Sequence, residues 1–231
     1  MRSASIADSN AFETWKTDWS AFKNAAIPGH DPDKLQAFEY ERNKHCAPHR
    51  ISSKEMVSLG HGRWLVSEII VMYMFLLEKH FQDICFSISN IVDFHLKPLK
   101  TLEKQFGKHD TMIFFQHIHN NHWIGIKLEK TKRRITVCDS LHGDNDDNFA
   151  HVENLAERLG IRGPLEHVLV KVPHQMNCND CGVTTCLFML CMAHNVENEL
   201  TYDDSEFVSR HFRLRLFADI VKKTVTPLQK F

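Results

Sequence analysis

The chain has 231 residues, 43% of them hydrophobic and 25% charged, enough for one large domain or two small ones around a substantial core. Its 28 Lys and Arg against 29 Asp and Glu leave a formal net charge of −1, without the basic excess of general nucleic-acid or membrane-surface binders. Seven Cys, an odd number, beside only nine Gly and seven Pro do not describe a small disulfide scaffold, so reduced intracellular surroundings, cytoplasmic or nuclear, are expected.

From the amino terminus, Met1 to Asn10 is polar and predicts no signal peptide. Residues 10–26 then read as an amphipathic helix. Asn10 and Glu13 resemble a capping box, and Phe12, Trp15, Trp19 and Phe22 fall at helical spacing. That stripe either packs on the domain or docks a substrate or partner. Residues 27–53, with prolines at 28, 32 and 48, read as a connector. A second helix is predicted over 65–81. Its apolar run, Ile69 to Leu77, marks a buried helix and falls well short of the roughly 20 residues of a membrane span.

After Pro98 the pattern changes to strand-length apolar stretches at 112–115, 123–128, 135–138 and 168–172, with a short helix at 149–159 between the last two. Helices over 181–194 and 206–222 close the chain. Helices bracketing a central set of strands make an α+β class with one core. Residues 1–50 are an extension and 51–231 the main domain.

Register supplies the first chemical lead. Folding 122–128 and 133–139 as an antiparallel hairpin with the loop at 129–132 sets Ile124 opposite Val137 and Ile126 opposite Ile135. His122 then lies opposite Asp139 on the same face, with Cβ atoms about 5 Å apart. Alone, this fits a structural His–Asp pair as well as a catalytic one.

The second lead is the polar segment 173–182, in which Cys181 enters an apolar helix. A thiol at a helix amino terminus meets free N–H groups and the positive end of the dipole, which favour the thiolate. Beside a His held by an Asp it would make a nucleophilic set. Gln175 could donate to the oxyanion formed on attack at a carbonyl, together with the backbone N–H of Cys181.

Cys178 and Cys181 also spell C-x-x-C. The other cysteines offer no second such pair for zinc, and the motif lies too late in the chain for a thioredoxin-type site, so no metal is expected. Cys186 and Cys191 fall on a helix core as packing. The acidic run from Asp144 lacks the Gly and Glu of a calcium loop, having Phe149 and Leu155 at those positions.

Together these residues resemble the ubiquitin-like-protein-specific cysteine proteases, the family of the SUMO-specific (sentrin) proteases. Four blocks carry the likeness in the family's order: residues 62–70 with Trp64-Leu65, Asn121-His122-Trp123, residues 137–141 around Asp139, and Gln175 through Cys181-Gly182. The resemblance covers roughly residues 50–223. It implies a papain-like fold of the adenain type, a mixed sheet flanked by helices, with 51–231 as the catalytic domain and no cofactor.

It further implies Cys181 as nucleophile, His122 as general base, Asp139 as its orienter and Gln175 as oxyanion donor. Trp64 and Trp123 would sandwich the diglycine tail of a ubiquitin-like modifier, a slot that only residues lacking Cβ can thread; the alternative is two core tryptophans. The implied activity is cleavage after that diglycine, for deconjugation or precursor maturation. The partners are a modifier, SUMO or ubiquitin, and its conjugates, met by a monomer without nucleic acid or membrane.

Two departures stand out. Val66-Ser67 replaces the Asn-Asp of many SUMO-directed members, and Cys178-Asn179 replaces the usual Gly-Tyr. Relatives of the fold supply the rivals: a deubiquitinase, which in a pathogen effector would work in the host cytosol, a YopJ-like acyltransferase, or an inactive modifier-binding module. The acyltransferases usually carry Glu at the orienting position, where this chain has Asp139.

Overall fold

A computed structural model describes residues 38–40, 49–87, 99–119, 121–201, 205–226 and 228. The helix expected over residues 10–26 lies outside them. The stretch expected as a connector contains a short hairpin, β1 (Phe38–Tyr40) and β2 (His49–Ile51), and Ile51 is fully buried. There follow α1 (Ser53–Met56), a 3-10 turn (Val57–Leu59), α2 (Ser67–His80), β3 (Ile84–Ser87), α3 (Leu99–Phe106), β4 (Thr111–Ile118), β5 (His122–Glu129) and β6 (Arg134–Cys138). The chain closes with α4 (Asp146–Arg158), β7 (Glu166–Leu169), α5 (Cys181–His194), a 3-10 turn (Glu197–Glu199) and α6 (Ser205–Lys222). β3 and α3 were not legible in the sequence. The strand expected at 168–172 begins two residues earlier and ends at Leu169.

The five strands form one mixed sheet in the order β3-β4-β5-β6-β7. Its inner pairs are antiparallel, and β3 and β7 join the edges in parallel. The β5–β6 register corrects the expected one. Ile126 faces Val137 and Leu128 faces Ile135, two residues from the predicted pairing. The cause is Glu129, which joins the ladder opposite Arg134 and accepts a 2.8 Å hydrogen bond from its guanidinium, so that residues 130–133 make the turn. An even shift leaves every side chain on its predicted face.

Helices cover both faces of this sheet. On one side Ile124, Ile126, Leu128, Ile135 and Val137 pack with Leu102 and Phe106 of α3 and with Phe149, Val152 and Leu155 of α4. On the other, α2, α5 and α6 form a single apolar cluster with Ile113 and Phe115. Residues 181–193 of α5 are buried throughout, as an all-round apolar helix requires. Each Leu or Phe withdrawn from water there contributes about 1.5–3 kcal/mol. Gly125 lets this helix lie close to the sheet: a Cβ there would stand 3.3 Å from that of Phe188. Lys127, on the same face, ends in a buried ion pair with Glu197.

The amino end of α5, the start of β5 and the end of β6 thereby meet at one end of the sheet.

Candidate active site

His122 opens β5, and Asp139 follows the last residue of β6. Extending the observed register sets Asp139 across from Ile124, so His122 and Asp139 are diagonal neighbours on one face. The side chains still meet: Nε2 of His122 lies 2.7 Å from Oδ1 of Asp139, and both residues are buried. The carboxylate is held from its other sides as well. The backbone N–H of Leu141 donates to Oδ1 at 2.8 Å, that of Gly143 to Oδ2 at 2.9 Å, and Nδ2 of Asn145 to Oδ2 at 3.1 Å.

Burial alone would raise the pKa of Asp139, but the hydrogen bonds from His122, Leu141 and Asn145 prevail and hold it well below the usual carboxylate range. For His122, burial opposes charging. The bond to Asp139 and the nearby Cys181 thiol outweigh it and push the imidazole up to about 9. With Nε2 on the carboxylate, Nδ1 remains; it is buried and, among the described residues, makes no hydrogen bond of ordinary geometry. Cys181 is the second group that favours the charged ring.

Cys181 is the first residue of α5, where three backbone N–H groups lack partners within the helix. The helix ladder begins at Thr184, whose N–H donates to the Asp180 carbonyl at 2.9 Å. Asn177 shapes the preceding turn, its Oδ1 accepting from the N–H groups of Asn179 and Asp180 at 3.0 Å each. Cys186 and Cys191 lie on the same helix, where burial raises both thiols, Cys191 to about 12. They remain protonated packing residues. Cys178 is exposed and free. Among the described residues no three His, Cys, Asp or Glu side chains gather as a metal site.

Gln175 is buried against Ser140, the residue that follows Asp139. Its N–H donates to the Ser140 carbonyl at 2.9 Å, and its Oε1 accepts from the Ser140 hydroxyl at 2.7 Å. Nε2 donates one hydrogen to the Asn177 carbonyl at 2.6 Å, which leaves the second free for an incoming acceptor. Ser140 therefore orients the amide, a role that adjacency to Asp139 in the sequence did not reveal.

The two tryptophans differ. Trp64 is 46% exposed, which rules out a core position. Trp123 is half-buried, edge-on to Phe115 and stacked on His117 at 4.1 Å between centroids. Gly182 ties their surroundings together: a Cβ on it would fall 2.9 Å from that of Leu65 and 3.4 Å from Cδ1 of Trp123. Trp123, and Leu65 next in the chain to Trp64, thus border the first turn of α5.

A free thiol at a buried helix start, an imidazole held by a buried carboxylate, and an oriented amide on an α+β scaffold describe the class of cysteine peptidases. The comparisons carry this further. Residues 66–224 match the Ulp1 protease family, C-terminal catalytic domain, and the chain belongs to that family of cysteine peptidases.

Solved structures agree on the fold. The C-terminal Ulp1 protease domain, in complex with Smt3, the yeast ortholog of SUMO, superposes with a TM-score of 0.67 at 17% identity, covering 95% of this chain and 96% of that one. The Ulp1-like SUMO protease catalytic domain of Chaetomium thermophilum gives 0.66 at 16% identity, with 96% and 90% covered. A de-sumoylating protease gives 0.53 at 13%, with 81% and 86% covered.

Proposed function

We propose that this protein is an isopeptidase and processing protease that cleaves after the carboxy-terminal diglycine of a ubiquitin-like modifier, with SUMO the favoured substrate. Its catalytic set is Cys181, His122, Asp139 and Gln175. The observation that carries the reading is the buried His122 imidazole, held 2.7 Å from Asp139 and biased toward its charged form beside Cys181 at the start of α5. An imidazole so biased takes the thiol proton and leaves a thiolate at the amino end of α5.

In the proposed reaction the thiolate attacks the terminal glycine carbonyl, and the oxyanion takes the free N–H of Gln175 and the backbone N–H of Cys181. Imidazolium His122 protonates the leaving lysine amine, and the carbon–nitrogen bond breaks to leave a thioester. Water, deprotonated by His122, then attacks the thioester, releases the modifier acid and restores the thiol. Asp139 holds one ring orientation throughout. Trp64 and Trp123 flank the glycines, whose lack of Cβ suits a slot walled by aromatic faces. The SUMO preference is supported by the Ulp1 domain solved with Smt3 and by the Chaetomium thermophilum SUMO protease.

Carboxy-terminal electrophile probes built on SUMO and on ubiquitin test the proposal. The SUMO probe is expected to label Cys181 at least ten-fold faster than the ubiquitin probe, and Cys181→Ala to lose labelling and turnover while still binding the modifier. Faster labelling by ubiquitin would overturn the substrate assignment. Turnover by Cys181→Ala would overturn the nucleophile.

A further inference from the structure

Arg213 is the largest of the fully buried side chains among the described residues. Nothing in the sequence marks it. It sits on α6, about 150 residues from some of its partners. Nη1 donates to the carbonyls of Ser58 and Gly60 at 3.1 Å each, and Nη2 to that of Arg63 at 2.7 Å. Nη2 and Nε both donate to Oδ1 of Asp180, at 2.6 and 3.1 Å, and Nη2 also reaches the Asn179 carbonyl at 3.4 Å.

These acceptors belong to two segments that meet nowhere in sequence. One ends at Arg63, immediately before Trp64. The other ends at Asp180, immediately before Cys181. A weaker link runs parallel to the clamp, from Nδ2 of Asn179 to the Gly62 carbonyl at 3.2 Å.

We propose that Arg213 is a positioning residue that sets the spacing between Trp64 and Cys181, and hence the width of the passage through which the modifier tail reaches the nucleophile. This rests on the diglycine reading above. Stability alone does not call for such an arrangement, because well-packed apolar residues often replace a buried ion pair at no loss. What an apolar residue could not do is hold four backbone carbonyls and a carboxylate from two segments at once.

The planar guanidinium fork does this, and a lysine, with a single ammonium at its tip, cannot reach the whole set. The close fit of Gly182 against Leu65 shows how little slack the two walls have. Arg213 touches neither the substrate path nor the His122–Asp139 pair. Its loss therefore should loosen binding of the tail without altering the thiol's chemistry.

The test compares wild type, Arg213→Lys and Asn179→Ala in four measurements: steady-state cleavage of a SUMO carboxy-terminal fluorogenic substrate, alkylation of Cys181 by iodoacetamide, the pH profile of that alkylation, and amide hydrogen exchange. Arg213→Lys should raise KM by roughly ten-fold or more, as expected when uniform binding of the tail is lost and the chemical step is untouched. Its kcat, alkylation rate and pH midpoint should stay within about three-fold of wild type, and exchange should quicken together in residues 60–65 and 177–182. Asn179→Ala should show the same pattern at about two- to five-fold, and decides the matter if Arg213→Lys does not fold.

Equal losses in alkylation and cleavage, or quickened exchange with unchanged KM, would overturn the positioning role. If wild type cleaves no diglycine-ended modifier, it is the functional reading that fails. Exchange then still decides whether Arg213 couples the two segments, and separate responses would overturn this proposal too.

Discussion

Replacing Asp139 with Asn removes a charge while nearly preserving shape, and its main effect should appear on His122. An ordinary imidazole titrates near 6.5, and this one is pushed up to about 9, a preference for imidazolium worth roughly 3 kcal/mol before screening by water at the mouth of the site. Burial by itself would lower the value, so the increase comes from Asp139 first and Cys181 second.

Asp139→Asn should therefore bring the midpoint well down, toward the unperturbed value, because burial then opposes only the Cys181 contribution. Cys181→Ala should give an intermediate midpoint. Histidine NMR titration reads all three proteins, and kcat of Asp139→Asn should fall on the order of 10²- to 10³-fold, as expected when a general base loses its tuning.

The sign of the stability effect follows from linkage. A histidine raised in the folded state stabilises fully below its unfolded value near 6.5, and that contribution is lost as pH rises through about 9. Wild type should lose roughly 1–3 kcal/mol of stability to this group between pH 6.5 and 9.5, and Asp139→Asn clearly less, by urea unfolding at each pH. Asp139, depressed in the folded state, contributes above the usual carboxylate value near 3.9 and loses that contribution only as pH falls below it. A wild-type midpoint near 6.5, or an unmoved midpoint in Asp139→Asn, would refute the reasoning.

Two further outcomes are expected. Gln175→Ala, by removing an amide donor that Ser140 holds in place, should lower kcat by roughly 10²- to 10³-fold with little change in KM; a loss confined to KM would count against an oxyanion role. Gly182→Ala adds a Cβ 2.9 Å from that of Leu65 and should destabilise the fold by about 1–3 kcal/mol in urea while raising KM, because the added atom presses on the wall behind Trp64.

The hairpin shows how legible the site was and where legibility stopped. Alternation in 122–128 and 133–139 assigned faces correctly, since the side-chain period of a strand is two and survives any even slip. The register itself differs from the one the apolar pairs predict, because it depends also on a Glu129–Arg134 ion pair. The short strand β3 carries too few residues for a periodic pattern to separate strand from loop, and its pairing, like the bounds of β7, is decided by the neighbours these strands join.

By itself, the sequence determined the chemistry on offer. A thiol at the start of an apolar helix, an imidazole and a carboxylate on one face of a hairpin, and a glutamine six residues before the thiol are local matters of spacing and period. Only the tertiary structure decided how that chemistry is held. Ser140 orienting Gln175, the N–H groups and Asn145 gathered on Asp139, the exposure of Trp64 beside the burial of Cys181, and Arg213 joining residues 58–63 to 179–180 are contacts made across the fold. No spacing rule encodes them, because a hydrogen bond requires only that two groups meet in space, and the chain leaves their separation in sequence free.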